Sequence, residues 1–512
     1  MATDTESTPA DSSSKSDAPA PLASKSEPVR AGKPSFVKRH KKKLIALAVL
    51  LGLPIAFHTG VALGTRLTPP ALPDLSSLVA PGPHEAIPHV GKAYKRKRGK
   101  ILEVRLVGSP AELGDEHSKL LYEEMVESEG QLYSTFEKYV PLSPVRQLVV
   151  DIGKFQFRHV DRGISKDRLL EIAAQARAFS PDPFEGYIPT YQRLVYLQSL
   201  YDIGLSFEHS PLLGCTSLVV RGKATKDGHT YVARNFDFEA GPVYDEHKVV
   251  FLIEETGKIP YASVAWPGFV GTVSGMNAKG VSVVIHGGRA RETREDGEPV
   301  VHTIRSILAE ASTVDEAIAI VKDRKPMVSH ILLVADGSGD AAIIERAPGE
   351  EPFVRRQSGP KLPLTNHFEG PLASDPKNQS ILAHTSTRSR RARLDELLTP
   401  DAPLDAAGIV DLLRDKKAPG GEERSLGDRS TIDAVIATHG VVMDTTDRVL
   451  WVSEGPHLMG RFVRFDLQRL LDPAFEPSVD DAVDAIAPDA ALTDGRYAAW
   501  VAAGSKHQGL KQ

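Results

Sequence analysis

The chain has 512 residues, a formal net charge of −5 and a single cysteine, with 41% apolar and 25% charged residues. One cysteine excludes an intramolecular disulfide and a cysteine-cluster metal site. The charge balance gives no ground for binding nucleic acid. The composition is that of a globular protein with room for two or three average domains, or one large domain with appendages.

Residues 1–37 are rich in Ser, Pro, Ala, Asp and Lys and lack apolar periodicity, so disorder is expected there. A basic block, KRHKKK, runs from Lys38 to Lys43 and completes a tail over 1–43. The next 21 residues, 44–64, carry no formal charge, which is enough to cross a bilayer as one helix. The basic block precedes this run, so the positive-inside rule puts the tail in the cytoplasm and exports the rest. A cleaved signal peptide is the alternative reading. Residues 65–100 are Pro-rich and then basic, and read as an extended linker. The run Lys92–Lys100 is expected to be a solvated charge run.

Residues 101–214 form the next segment. Ile101 to Gly108 alternates like a strand, and the following thirty residues have helical spacing, with Leu120, Leu121, Met125, Leu132 and Phe136 near one side. Ser165 is placed to cap a helix running toward Ser180, and Thr190–Ser206 is predicted to be another. From Cys215 short apolar runs alternate with turns such as KATKDG, ETGK and NAKG, which predicts an antiparallel meander. Two helices follow, the second capped by Thr313 with Glu316 at capping-box spacing. A hairpin over DGSGD, two further helices and two closing strands complete an α+β domain over 215–475. Residues 476–512 are read as a tail. No metal-ligand spacing appears, so no metal and no cofactor are expected.

A thiol nucleophile needs a base. His286, His367 and His439 lie downstream of Cys215, as a papain-like arrangement would require. The alternative is a cut between Gly214 and Cys215. The α-amine so freed would have a pKa of about 7.7–8.0 and could serve as base for its own side chain. Gly214 would tolerate the backbone angles of such a cut.

The motifs GCTS, GHTYVARNFDF, GMNAKGVSV, LTNHF and RSRRARL, in that order, resemble the N-terminal-nucleophile (Ntn) hydrolases of the choloylglycine hydrolase and acid ceramidase group. The branch most resembled is that of acyl-CoA:isopenicillin N (6-aminopenicillanic acid) acyltransferase. The resemblance covers roughly residues 101–470. It implies a four-layer αββα sandwich with antiparallel sheets, preceded by a mainly helical propeptide; the tail and the one membrane helix lie outside the resemblance. It implies Cys215 as nucleophile, Arg234 beside the thiol, Asp237 orienting the new α-amine, and Asn366 near the amine or oxyanion. Arg390 matches the second family arginine, with Arg388 and Arg393 as rivals. The family's other oxyanion asparagine has no match, since His286 and Gly287 occupy that neighbourhood and become the candidate oxyanion or substrate contacts. The implied activity is hydrolysis of a linear N-acyl amide through a thioester, with the two self-cleaved fragments held together non-covalently. Acyl transfer by the same acyl-enzyme, or a non-enzymatic membrane-anchored binding protein on a decayed scaffold, are the alternatives.

Overall fold

The computed structural model describes residues 36–82, 84–206, 213–238, 241–294, 296–399 and 401–503. Most of the expected disordered tail lies outside them. The chain divides into two units, 1–59 and 60–512. In the first, the described residues form the greater part of the helix Phe36–Gly64, which has Pro54 inside it. Its stretch His40–Gly64, which holds an 18-residue window of mean hydropathy 2.1, is long and apolar enough to cross a membrane.

The second unit starts earlier than the sequence predicts. The expected free linker over 65–100 is packed and partly strand. Leu67 and Leu75 are buried, Leu75 against Ala111 and Ala174. Gln192 Nε2 donates to the carbonyl of Thr65 at 2.9 Å. The leucines spaced between the prolines supply the apolar anchors that hold this segment down. The basic run corrects the sequence reading further, because Ala93–Arg98 is a strand paired with Ile101–Gly108. Residues two apart share a face of a strand. Tyr94, Arg96 and Arg98 accordingly converge on the fully buried Glu103: Arg96 Nε at 2.6 Å, Arg98 Nε at 2.8 Å and the Tyr94 hydroxyl at 2.9 Å. Carboxylates take up much of the charge that composition alone assigned to solvent: Glu103 for Arg96 and Arg98, Asp481 also for Arg96, and Glu124 for Lys95.

Two sheets carry the fold. The first has ten strands, in the order His89–Val90, Ala93–Arg98, Ile101–Gly108, Val249–Glu255, Tyr261–Ala265, Ser274–Asn277, Ser282–Gly287, His330–Ala335, Ala341–Arg346 and Phe353–Arg356. All its pairings are antiparallel except one, in which Ile101–Gly108 lies parallel to Val249–Glu255. The N-terminal segment is thus woven into the sheet. The second sheet has seven strands, in the order Lys361–Leu364, Leu213–Val220, Tyr231–Phe238, Ala437–Asp444, Val449–Ser453, Phe462–Asp466 and Ala485–Ile486. The expected tail over 476–512 therefore contributes a strand. It also contributes a helix, Arg496–Ala502, whose Tyr497 and Trp500 pack with Val435 and Met459.

The core explains the layering. Val219, Val232 and Val441 of the second sheet meet Val250, Leu252 and Ile331 of the first in one apolar layer. The other face of the first sheet packs on helices that include Pro110–Tyr139, Lys166–Ala178 and Val300–Glu310. The other face of the second sheet packs on Thr387–Leu398 and Ala406–Leu413. Helices thus cover both outer faces of a two-sheet sandwich. The expected caps form: Ser165 accepts from the Arg168 amide, and Thr313 accepts from the Glu316 amide at 3.2 Å. The predicted helix 190–206 is divided at Ser199 into Thr190–Gln198 and Leu200–Ser206.

Candidate active site

Cys215 and Phe236 face each other across adjacent strands of the second sheet, and Gly214 faces Asp237. Strand alternation sets what each residue meets. Cys215, Ser217 and Val219 point toward the first sheet, as do Val232, Arg234 and Phe236. Thr216, Leu218, Ala233, Asn235 and Asp237 point toward the helices over the other face. Arg234 and Asp237, three apart, therefore lie on opposite faces of the sheet, Arg234 beside Cys215 and Asp237 beside Gly214.

On the inner side, Arg234 is completely buried. Its Nη1 donates to Val273 O and Ser274 Oγ, each at 2.6 Å. Its Nη2 donates to Ile285 O and to Cys215 Sγ, the latter at 3.2 Å. Its guanidinium lies 4.2 Å over the Phe236 ring. Arg234 forms no ion pair among the described residues.

On the outer side, the Cys215 amide donates to Asn366 Oδ1 at 2.7 Å, and Asn366 Nδ2 donates to Gly287 O at 3.1 Å. Arg390 donates through Nη1 to the Cys215 carbonyl and to Thr216 Oγ1, and through Nη2 to Asn366 Oδ1 at 3.0 Å. Asp237 is buried, and that burial pushes its carboxyl up to about 7, against the opposing pull of Arg390 and Arg429. A Cβ built on Gly214 would lie 3.2 Å from Asp237 Oδ2. Gly214 has no left-handed φ. What the glycine supplies in this conformation is room beside a carboxylate.

The structure brings Cys215, Arg234, Asp237, Asn366 and Arg390 together. It also chooses among the crowded arginines. Arg390 shares the buried face of its helix with Thr387, Leu394 and Leu398, whereas Arg393 pairs with Asp415. The histidines make their hydrogen bonds to hydroxyl groups. His286 Nε2 lies 2.6 Å from Ser217 Oγ, His439 Nε2 lies 3.0 Å from Ser274 Oγ, and His367 Nδ1 sits between the hydroxyls of Thr365 and Thr387. Burial and nearby cations hold His286 and His439 well below the usual histidine range, so both are neutral. Among the described residues the recorded hydrogen-bond partner of the thiol is Arg234. Sequence reasoning missed Ser274, which joins Arg234 to His439. No local signal marks a serine whose partners come from two other strands.

A cavity of about 220 Å³ lies against Phe236, the cross-strand partner of Cys215, and is walled by Leu132, Leu197, Phe236, Phe238, Trp266 and Phe269 among others. Its helical wall comes from residues before Cys215. At the opposite end of the strand Tyr231–Phe238, ligand-capable atoms of Asp227, His229 and Asp444 lie within 4.8 Å of one another. They are already joined by hydrogen bonds, with His229 Nδ1 2.8 Å from Asp444 Oδ2.

A family model described as acyl-coenzyme A:6-aminopenicillanic acid acyl-transferase matches residues 223–452, a stretch that holds Arg234, Asp237, Asn366 and Arg390 and starts after Cys215. This agrees with the resemblance carried by the motifs. An uncharacterized protein of Archaeoglobus fulgidus is 27% identical over 263 residues, 47% of this chain and 42% of that protein. The chain thus spans less than half the length of that relative. Among solved structures, a Caenorhabditis elegans ortholog of N-acylethanolamine-hydrolyzing acid amidase is 17% identical, over 45% of this chain and 93% of its own, with a TM-score of 0.35. Penicillin V acylase from Agrobacterium tumefaciens is 18% identical over 54% and 98%, with a TM-score of 0.33. The C2A mutant of a Clostridium perfringens conjugated bile acid hydrolase is 14% identical over 53% and 96%, with a TM-score of 0.34.

Proposed function

We propose that this chain is a self-processing cysteine amidohydrolase of the Ntn class, built on that class's four-layer sandwich, which cleaves a linear N-acyl amide through a thioester on Cys215. The observation that carries the reading is the two-sided hold on one residue. Arg234 meets the sulfur, while Asn366, Arg390 and Asp237 surround the backbone that would become the N-terminus.

In this reading the Gly214–Cys215 bond is cut first: the thiol attacks the Gly214 carbonyl, the C–N bond breaks with the proton passing to the Cys215 nitrogen, and water hydrolyses the resulting thioester. The freed α-amine of Cys215 stays between Asn366 Oδ1 and the Asp237 carboxylate. In turnover it takes the thiol proton, and Arg234 balances the charge on sulfur. The thiolate adds to the amide carbonyl, the α-ammonium returns the proton to the leaving nitrogen, and a thioester remains. Water then hydrolyses it to the acid and restores the thiol. The apolar cavity would take the acyl chain. An amine in place of water would give acyl transfer, the activity by which the matching family model is described.

The apolar helix would anchor the protein with its N-terminus in the cytoplasm and the catalytic unit exported, the basic block holding the orientation. The two fragments, residues 1–214 and 215–512, would remain associated without a covalent link.

Intact mass and N-terminal sequencing, beside a Cys215→Ala variant, test the reading. A fragment starting at Cys215 in the parent, together with an uncut variant, supports it. An uncut parent removes the α-amine base and ends it.

A further inference from the structure

An amide carbonyl attacked by a thiolate becomes an oxyanion, and that charge needs a hydrogen-bond donor aimed at it. The donors around Cys215 are mostly engaged. Asn366 Nδ2 is held by Gly287 O, both Nη atoms of Arg390 are occupied, and both Nη atoms of Arg234 are occupied. Four buried side-chain atoms near the site that could donate have no partner: Arg234 Nε, His286 Nδ1, His439 Nδ1 and the hydroxyl of Tyr201. Of their four residues only Tyr201 lines the apolar cavity. Among the described residues that wall it, the Tyr201 hydroxyl is the one fully buried polar side-chain atom left without a hydrogen bond.

Its position is set from two sides. The Tyr201 ring stacks on Phe236, centroids 6.1 Å apart, and Phe236 is the cross-strand partner of Cys215. A side chain grown from Gly287 would start 3.7 Å from the Tyr201 hydroxyl and 2.9 Å from Leu205 Cδ2. The helix Leu200–Ser206 therefore fills the space that a polar side chain at 287 would use. It puts a phenol there instead. Leaving a buried hydroxyl unpaired costs roughly 1–3 kcal/mol, so a group that recurs in no hydrogen bond of the resting protein calls for an occupant.

We propose that the Tyr201 hydroxyl is an oxyanion donor of this enzyme, a catalytic residue supplied from the N-terminal side of the Gly214–Cys215 junction. As the carbonyl becomes tetrahedral, the phenol donates to its oxygen and keeps its own proton. Burial and the negative charge of Cys215 push that hydroxyl well above the ordinary tyrosine range, which keeps it a donor. The active site would then be composite, with nucleophile and oxyanion donor on different fragments.

This inference rests on the proposed acyl-enzyme chemistry, and its test separates the two. The self-processed full chain is mixed with p-nitrophenyl decanoate, and the burst of p-nitrophenolate reports acylation of Cys215. Iodoacetamide, which alkylates sulfur without forming an oxyanion, reports the thiol alone. In Tyr201→Phe the acylation rate falls by roughly 10²–10³-fold, as for loss of one oxyanion donor. Alkylation stays within about twofold and thermal stability holds or rises, because an unpaired buried group has been removed. An unchanged burst in Tyr201→Phe overturns the proposal while leaving the nucleophile in place. A wild-type chain that gives no burst overturns both. If the variant fails to process, 3,5-difluorotyrosine at position 201 keeps the ring and hydroxyl but donates more strongly. Faster acylation then supports the role, and an unchanged rate ends it.

Discussion

Nη2 of Arg234 sits 3.2 Å from Sγ of Cys215. Arg234 is fully buried and forms no ion pair among the described residues, so the sulfur is the natural site for its counter-charge. At an effective dielectric constant of about 20, unit charges about 4 Å apart interact by roughly 4 kcal/mol. Arg234→Gln is therefore expected to slow iodoacetamide alkylation of Cys215 at pH 7 by at least roughly tenfold. Arg234→Lys, which keeps charge but loses the fork that reaches four acceptors, falls between. Equal alkylation rates in all three proteins would show that the arginine only packs.

The pH dependence of stability follows from Asp237, whose buried carboxyl is pushed up to about 7 from 3.8. Asp202 and Glu116, pushed up by burial to about 8 and about 9, act in the same direction. Between pH 4 and pH 7 the unfolded chain has lost these protons and the folded chain keeps them. Stability therefore falls as pH rises, by up to about 1.4 kcal/mol per pH unit for each such group. In the uncut Cys215→Ala protein, Asp237→Asn is expected to flatten part of this slope between pH 4 and pH 7. Denaturant melts across that range measure it.

Glu103 is fully buried and receives hydrogen bonds from Tyr94, Arg96 and Arg98. Removing one partner of a buried ion pair costs about 3–5 kcal/mol, because the remaining charges are left in the interior. Glu103→Ala should lower the thermal midpoint sharply. Lys97→Ala, on the outward side of the same strand, should stay within about 0.5 kcal/mol of the parent.

The cavity wall offers a specificity test. Leu132 and Leu197 line the cavity on helices that precede Cys215. Replacing Leu197 with Trp should fill the chamber and shift preference toward short acyl groups, seen as a larger loss of kcat/KM for p-nitrophenyl decanoate than for p-nitrophenyl acetate. A parallel loss on both esters would place the acyl chain elsewhere.

Much of the site was legible because its signals are local. The RNFDF segment carries Arg234 and Asp237 on one strand, and LTNHF carries Asn366. Arg390 was legible too, though hidden among neighbours. It has helical spacing to Leu394 and Leu398, which marks the inward face and leaves Arg393 outside. The basic run misled for a different reason. Whether Arg96 and Arg98 face water depends on one carboxylate across a strand pair, and charge counting cannot register a partner. Tyr201 gave no signal at all. It reads as one more aromatic in a helix, and only the missing hydrogen bond sets it apart.

The strand Ile101–Gly108 lies before the proposed cut, yet it is the parallel neighbour of Val249–Glu255 in the middle of the ten-stranded sheet. A piece beginning at Cys215 and produced alone would expose a bare edge there, with the sequence VVFLIEE presenting unpaired amides and carbonyls. Such an edge invites pairing with other chains. The N-terminal piece is thus an integral part of the architecture, and the proposed cut would have a constrained order: the whole polypeptide would fold before being divided. Recombinant production of the active form should start from the undivided gene.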